Sequence, residues 1–162
     1  MNRAAILFCI ISLLAVNVGC QHGTDPKDRT AYPRHKIKAT KEKWHWGNAQ
    51  KQNETAGYAQ AVKSGNTIYI SGIPTADMSA KGIANVYKAL KKSLNAFGAT
   101  SKDVVKESLY TTDIELMKKH NNVRKEFYKG DFPAATWVQV SRLYEAEAKL
   151  EIELIAQVPD NR

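Results

Sequence analysis

Lys149-Leu150-Glu151-Ile152-Glu153-Leu154-Ile155-Ala156-Gln157-Val158 is the stretch whose reading decides the fold. Leu150, Ile152, Leu154 and Ala156 alternate with Glu151 and Glu153, which is the period-two pattern of a strand with one face in a core. Upstream, a polar segment at 144–148 forms a turn, and residues 134–143 read as the strand before it. Residues 114–129 have helical spacing, with Leu116, His120, Val123 and Phe127 on one face and Gly130 as terminator. A strand at 104–112 precedes them. Before it, Ile83, Val86, Tyr87, Leu90, Leu94 and Phe97 define a helix with Lys88, Lys91 and Lys92 on its other side and Gly98 at its end. Two β-prone runs, 58–63 and 66–71, flank Ser64-Gly65 and read as a hairpin. The order ββαβαββ predicts an α+β domain: one mixed sheet with both helices packed on one face. The opposite sheet face is left to be covered, which invites oligomerisation.

Charge is unevenly distributed. The formal net charge of +8 includes eight Lys or Arg against three acids at 21–51, whereas 52–162 holds 15 basic and 13 acidic residues. The basicity therefore belongs to a tether, and a nucleic-acid-binding face on the domain is disfavoured. The two cysteines are Cys9 and Cys20, so the domain has no thiol for a disulfide, for nucleophilic catalysis or for a zinc site. There is no glycine-rich phosphate loop and no metal-ligand motif.

Residues 1–3 form a short positive segment, and 4–16 an apolar run too short to span a bilayer comfortably. This is the pattern of an export signal. It closes with Asn17-Val18-Gly19-Cys20, which resembles the lipobox of bacterial lipoproteins, with Cys20 as the lipidated residue and Asn17 where an aliphatic residue is usual. A plain secretory peptide or an uncleaved anchor is the alternative. With lipidation, Gln21 favours the outer membrane, and the expected location is periplasmic or outer-membrane-anchored. Residues 21–51, with Pro26, Pro33 and many charges, have the composition of a flexible linker. Its Trp44-His45-Trp46 cluster is expected to dock on a domain spanning 52–159.

Gly57-Tyr58-Ala59-Gln60-Ala61-Val62, Ile70-Ser71-Gly72-Ile73-Pro74, Phe132-Pro133-Ala134-Ala135-Thr136, Val140-Ser141-Arg142-Leu143 and Leu150-Glu151-Ile152-Glu153 follow one another in a characteristic order. Their series resembles the reactive-intermediate deaminase family, RidA or YjgF, over residues 57–158. The resemblance implies a homotrimer with ligand clefts between subunits. It also implies hydrolysis of enamines or imines to a carbonyl product and ammonia, with water as nucleophile and no metal or organic cofactor. It assigns catalytic positions to Tyr58, Ser71 and Glu151, the last positioning the attacking water, and a substrate-binding position to Asn121.

One departure matters most. The resemblance implies an arginine directly after the Pro-Ala pair, gripping a substrate carboxylate, and this chain has Ala135 there. Losing that charged fork removes about 1.5–3 kcal/mol of charge-assisted hydrogen bonding. Trp137 projects on the same side as Ala135 by strand alternation, and with Thr136 these residues are expected to make the substrate-binding part of the cleft smaller and more apolar. For Glu151 and Glu153 the plainer reading is a solvated strand face, and for Tyr58 a core aromatic with its hydroxyl at the rim. Arg142 reads best as a structural or interface residue, and His120 as a core histidine rather than a base. Three functions remain: an imine deaminase with altered substrate preference, a non-catalytic trimeric small-molecule binder, and, disfavoured by the domain's near-neutral charge, an endoribonuclease.

Overall fold

A computed structural model of the chain describes residues 40–47 and 49–159. The export signal, Cys20 and most of the basic linker lie outside the described residues. The elements are β1 (Lys41–Trp44), α1 (Ala49–Ala56), β2 (Ala61–Ser64), β3 (Thr67–Thr75), α2 (Ala80–Asn95), β4 (Val104–Thr111), α3 (Ile114–Lys119), α4 (Asn121–Tyr128), β5 (Ala134–Gln139) and β6 (Leu150–Gln157). The strands form one mixed sheet in the order β1-β2-β3-β6-β4-β5. The β4–β5 pair is parallel and the other pairs are antiparallel. This is the α+β architecture expected from the sequence, with two elements added at its start, β1 and α1.

The core lies between the sheet and the helices. Leu150, Ile152, Leu154 and Ala156 of β6 are buried, as alternation requires, together with Ile68 and Ile70 of β3 and Leu109 of β4. Ile83, Val86, Tyr87, Leu90 and Leu94 of α2 meet them. Each fully buried Ile or Leu contributes about 1.5–3 kcal/mol relative to exposure. At the start of α2 the Ser79 hydroxyl accepts from the Gly82 amide at 3.2 Å, a side-chain N-cap. Gly98 follows at φ +71, the left-handed conformation that ends helices at low cost in glycine.

Four expectations are corrected. The sheet begins inside the stretch read as a linker: β1 pairs with β2 through Lys41↔Ser64 to Trp44↔Ala61, and α1 follows. Trp44 packs against the core, with the Trp46 ring 4.9 Å away edge-on and the Lys92 ammonium 4.8 Å from the Trp46 centroid. The helix expected over 114–129 breaks at half-buried His120 (φ −102, ψ 17), whose amide bonds back to Leu116 and Met117 carbonyls in a tightened last turn. The break shifts the buried stripe to Met117, Val123, Arg124 and Tyr128, while Leu116 and Phe127 are partly buried beside it. The left-handed residue ending α4 is Lys129 (φ 52), one position before the glycine expected to do so. Finally, β5 stops at Gln139, where the Val140 amide donates to the Thr111 carbonyl at 2.9 Å and the chain leaves the sheet.

Candidate active site

The sheet face turned away from the helices carries Glu151, which stands between Pro74 of β3 and Tyr110 of β4 in register. Here β3 is irregular, with a shift between Ile70 and Ile73 that spans Ser71-Gly72. The need for glycine at 72 is steric: a Cβ there would lie 2.0 Å from Glu151 Oε1 and 2.7 Å from its Cγ and Cδ. The Glu151 side chain thus lies directly against the β3 backbone.

Ahead of β2 the chain is tied to the same place. The Ser71 hydroxyl donates to the Ala59 carbonyl at 2.8 Å, Gln60 Nε2 donates to the Ser71 carbonyl at 3.0 Å, and the Ser71 amide donates to the Gln60 carbonyl at 2.9 Å. These bonds hold Tyr58, which is 41% exposed, at the mouth of a cavity of about 350 Å³. Tyr58, Ser71, Gly72, Pro74, Tyr144, Glu145 and Glu151 line it. Gln60, fully buried, is a positioning residue that sequence reading missed. A lone glutamine in a β-prone run carries no signal of burial.

Burial, reinforced by the charges of Glu153 and Glu145, pushes the Glu151 carboxyl above the ordinary carboxylate range. Glu151 has no hydrogen-bond partner among the described residues, whereas Glu153 accepts from the Tyr110 hydroxyl at 3.3 Å. A half-buried carboxylate with raised proton affinity and a free acceptor edge is equipped to take a proton from a bound water. No cation lines the cavity among the described residues.

The other expected binding residues lie elsewhere. Ala135 and Trp137 are in register with Glu107 and Leu109, both buried on the helix side. Within one chain, the sheet therefore separates Ala135 and Trp137 from Glu151. Thr136 points to the Glu151 side but is exposed, its hydroxyl accepting from Lys106 Nζ. Arg142 is exposed beyond β5. Asn121 opens α4, with its Oδ1 buried and without a hydrogen-bond partner among the described residues.

Beside Ala135 is a polar cluster that sequence reading did not anticipate. Glu107, fully buried, accepts from the Tyr87 hydroxyl at 2.8 Å, the Tyr128 hydroxyl at 3.1 Å and Arg124 Nε. Burial first, then the Glu107 charge, raises both tyrosine hydroxyls far above their ordinary range, so they remain protonated donors. The Arg124 guanidinium carbon lies 5.0, 5.5 and 5.7 Å from the ring centroids of Tyr128, Phe132 and Trp137. The contributing residues are scattered along the chain, so no local spacing marks the cluster.

The fold is that of a small α+β protein with a partly buried carboxylate cleft on one sheet face. The profile of the family described as Endoribonuclease L-PSP matches residues 49–158. The chain is 34% identical over 110 residues to a 2-iminobutanoate/2-iminopropanoate deaminase from Dermatophagoides farinae, covering 62% of this chain and 85% of that one. It is also 34% identical over 108 residues to the human protein of the same name, covering 61% and 78%. The crystal structure of RidA from an Antarctic Psychrobacter superposes with a TM-score of 0.59 at 30% identity, covering 64% of this chain and 90% of that one. A Mycobacterium tuberculosis member of the YjgF/YER057c/UK114 family superposes with a TM-score of 0.66 at 24% identity, covering 74% and 100%. The chain belongs to the RidA/YjgF family.

Proposed function

We propose that this protein hydrolyses small imines to a carbonyl compound and ammonia at the Glu151 cleft. The observation that carries the reading is the Glu151 carboxylate, lying against Gly72 with its oxygens unengaged and its proton affinity raised, in a cavity bordered by Tyr58 and Ser71. The names of the deaminase relatives support it.

Glu151 in its ionised form accepts a proton from water as the water oxygen bonds to the imine carbon and the C=N π electrons move to nitrogen. The resulting carbinolamine takes the proton back on nitrogen. Glu151 then takes the hydroxyl proton and delivers it to nitrogen as the C–N bond breaks and C=O forms, so that ammonia leaves and R₂C=NH and H₂O give R₂C=O and NH₃. The Ser71 hydroxyl, whose proton is engaged by the Ala59 carbonyl, retains lone pairs toward the cleft and orients rather than transfers. Ala135 supplies no charge, which supports a substrate preference different from that of relatives with a guanidinium there.

The reading includes a homotrimer and an exported, lipid-anchored protein. Tyr69, Val105 and Val138 are 50%, 47% and 39% exposed, apolar side chains of the kind that assembly buries. The export pattern ending at Cys20 supports the location.

The test is a coupled assay in which an amino-acid oxidase generates 2-imino acids, and an amine oxidase carboxylate-free imines, in the presence of the purified full-length chain. Ammonia release above the spontaneous rate, abolished by Glu151→Gln, is expected. Release no faster than without protein would overturn the catalytic reading and leave a non-catalytic binder. Light scattering on the same sample decides the trimer.

A further inference from the structure

The segment ahead of the cleft carries polar groups that the chemistry above leaves unused. His45, half-buried and flanked in sequence by Trp44 and Trp46, has its Nδ1 3.1 Å from Gln52 Oε1 in α1. Gln52 Nε2 lies 3.4 Å from Gln60 Oε1, and Gln60 Nε2 donates to the Ser71 carbonyl at 3.0 Å. The four residues form one chain from the end of β1 to the cavity wall, where Ser71 stands with Gly72 and Glu151.

The direction of every hydrogen follows from the last link. A carbonyl oxygen only accepts, so Ser71 takes a hydrogen from the Gln60 amide nitrogen and turns the Gln60 oxygen the other way. That oxygen belongs to a residue 2% exposed and needs a donor, which the Gln52 nitrogen supplies. The Gln52 oxygen is then left to accept, and His45 carries its hydrogen on Nδ1. The near end of the chain is anchored. Strand β1 is paired to β2, Trp44 packs on the core, the Trp46 ring meets it edge-on at 4.9 Å, and the Lys92 ammonium sits 4.8 Å from the Trp46 centroid. The far end is the irregular point of β3 at Ser71-Gly72, against which the Glu151 side chain lies. An anchored start and a fixed orientation at each amide make these bonds a brace for that point.

We propose that His45 and Gln52 are positioning residues for imine hydrolysis, acting through Gln60 on the Ser71-Gly72 backbone that fixes Glu151. The proposal rests on the imine reading of the Glu151 cleft and adds residues 41–56 to the part of the chain that the reaction needs. Neither residue touches substrate. Loss of the brace lets the Ser71-Gly72 backbone shift, and the water that Glu151 deprotonates shifts with it. Turnover suffers rather than binding, since misplaced reacting groups lower kcat while ground-state contacts stay in place.

Full-length variants are compared in the coupled imine assay, and hydrogen exchange of the Ser71 amide and the Gln60 side-chain amide is followed by NMR on the same samples. Gln52→Glu keeps the shape and the acceptor for His45 but sets an oxygen against Gln60 Oε1. Its kcat should fall about fivefold or more with KM within about twofold of wild type, and both amides should exchange faster. His45→Phe keeps a ring and loses Nδ1, so kcat should fall. His45→Asn, whose amide nitrogen takes the place of Nδ1, should recover most of that loss, whereas a merely space-filling ring would give the opposite order. The His45 pair carries the test should Gln52→Glu not fold. Equal kcat in Gln52→Glu and wild type, or a His45→Phe variant at least as active as His45→Asn, overturns the proposal and leaves the imine reading standing. If wild type releases no ammonia above the spontaneous rate, the imine reading falls and exchange alone decides the brace: faster exchange in Gln52→Glu supports it, and unchanged exchange overturns it.

Discussion

Replacing Glu107 by Gln tests the central polar cluster most directly. Glutamine preserves the volume and can still accept from the Tyr87 and Tyr128 hydroxyls, so the change isolates the charge. Glu107 is 0% exposed and its partner Arg124 8%, so the guanidinium is left without a counter-ion in a nearly dry site. Breaking a buried pair from one side costs about 3–5 kcal/mol. For a domain of this size that lowers the thermal midpoint by about 10–20 °C. Urea and thermal denaturation followed by circular dichroism measure both. The double variant Glu107→Gln, Arg124→Met removes the uncompensated charge and should recover most of the loss, because directly paired residues are non-additive. A single variant within about 1 kcal/mol of wild type, or a double variant whose loss is the sum of its singles, refutes the reasoning.

Burial and neighbouring carboxylates raise the Glu151 carboxyl on folding, so its contribution to stability is present at acid pH and lost as pH rises through its folded-state value. Glu151→Gln should therefore match wild type in acid and exceed it above that value; urea midpoints that coincide across the range speak against it. In the imine assay, kcat/KM of wild type should rise with pH through the same ionisation. Gly72→Ala pushes a methyl into the Glu151 carboxylate, costing about 1–3 kcal/mol of stability and at least tenfold in turnover, and a variant with unchanged activity would show that the carboxylate position is immaterial. Cys20→Ser should move the protein from membrane to soluble fractions, and continued sedimentation with membranes would mean that the lipid is not what holds it.

The alternation of Leu150, Ile152, Leu154 and Ala156 and the stripe from Ile83 to Leu94 were legible because each is a local period in burial. Tyr58, Ser71 and Glu151 were named from the resemblance, and the fold brings these three to one cavity. Strand β1 escaped notice because Lys41–Trp44 is a charged segment at the sheet edge, held by backbone pairing to β2, which leaves no apolar alternation. The helix break at His120 was hidden for a related reason: a continuous stripe can be drawn through 114–129, and only packing shows that Met117 and Arg124, not Leu116 and His120, turn inward.

Sequence by itself determined the types of the elements from β2 to β6 and the export pattern, and the resemblance singled out Glu151. Alternation also established that Ala135 and Trp137 share a side. Only the tertiary structure decided which side: β5 pairs with β4 so that Ala135 meets Glu107 on the helix face, while Glu151 meets Tyr110 on the other. Side-chain parity along a strand is a local property, but register between strands is a choice made by the whole sheet, and a shift of one residue would exchange the two faces. The meeting of Glu107 with Arg124 depends on that same choice, because nothing short of the folded core takes these two charges out of water together.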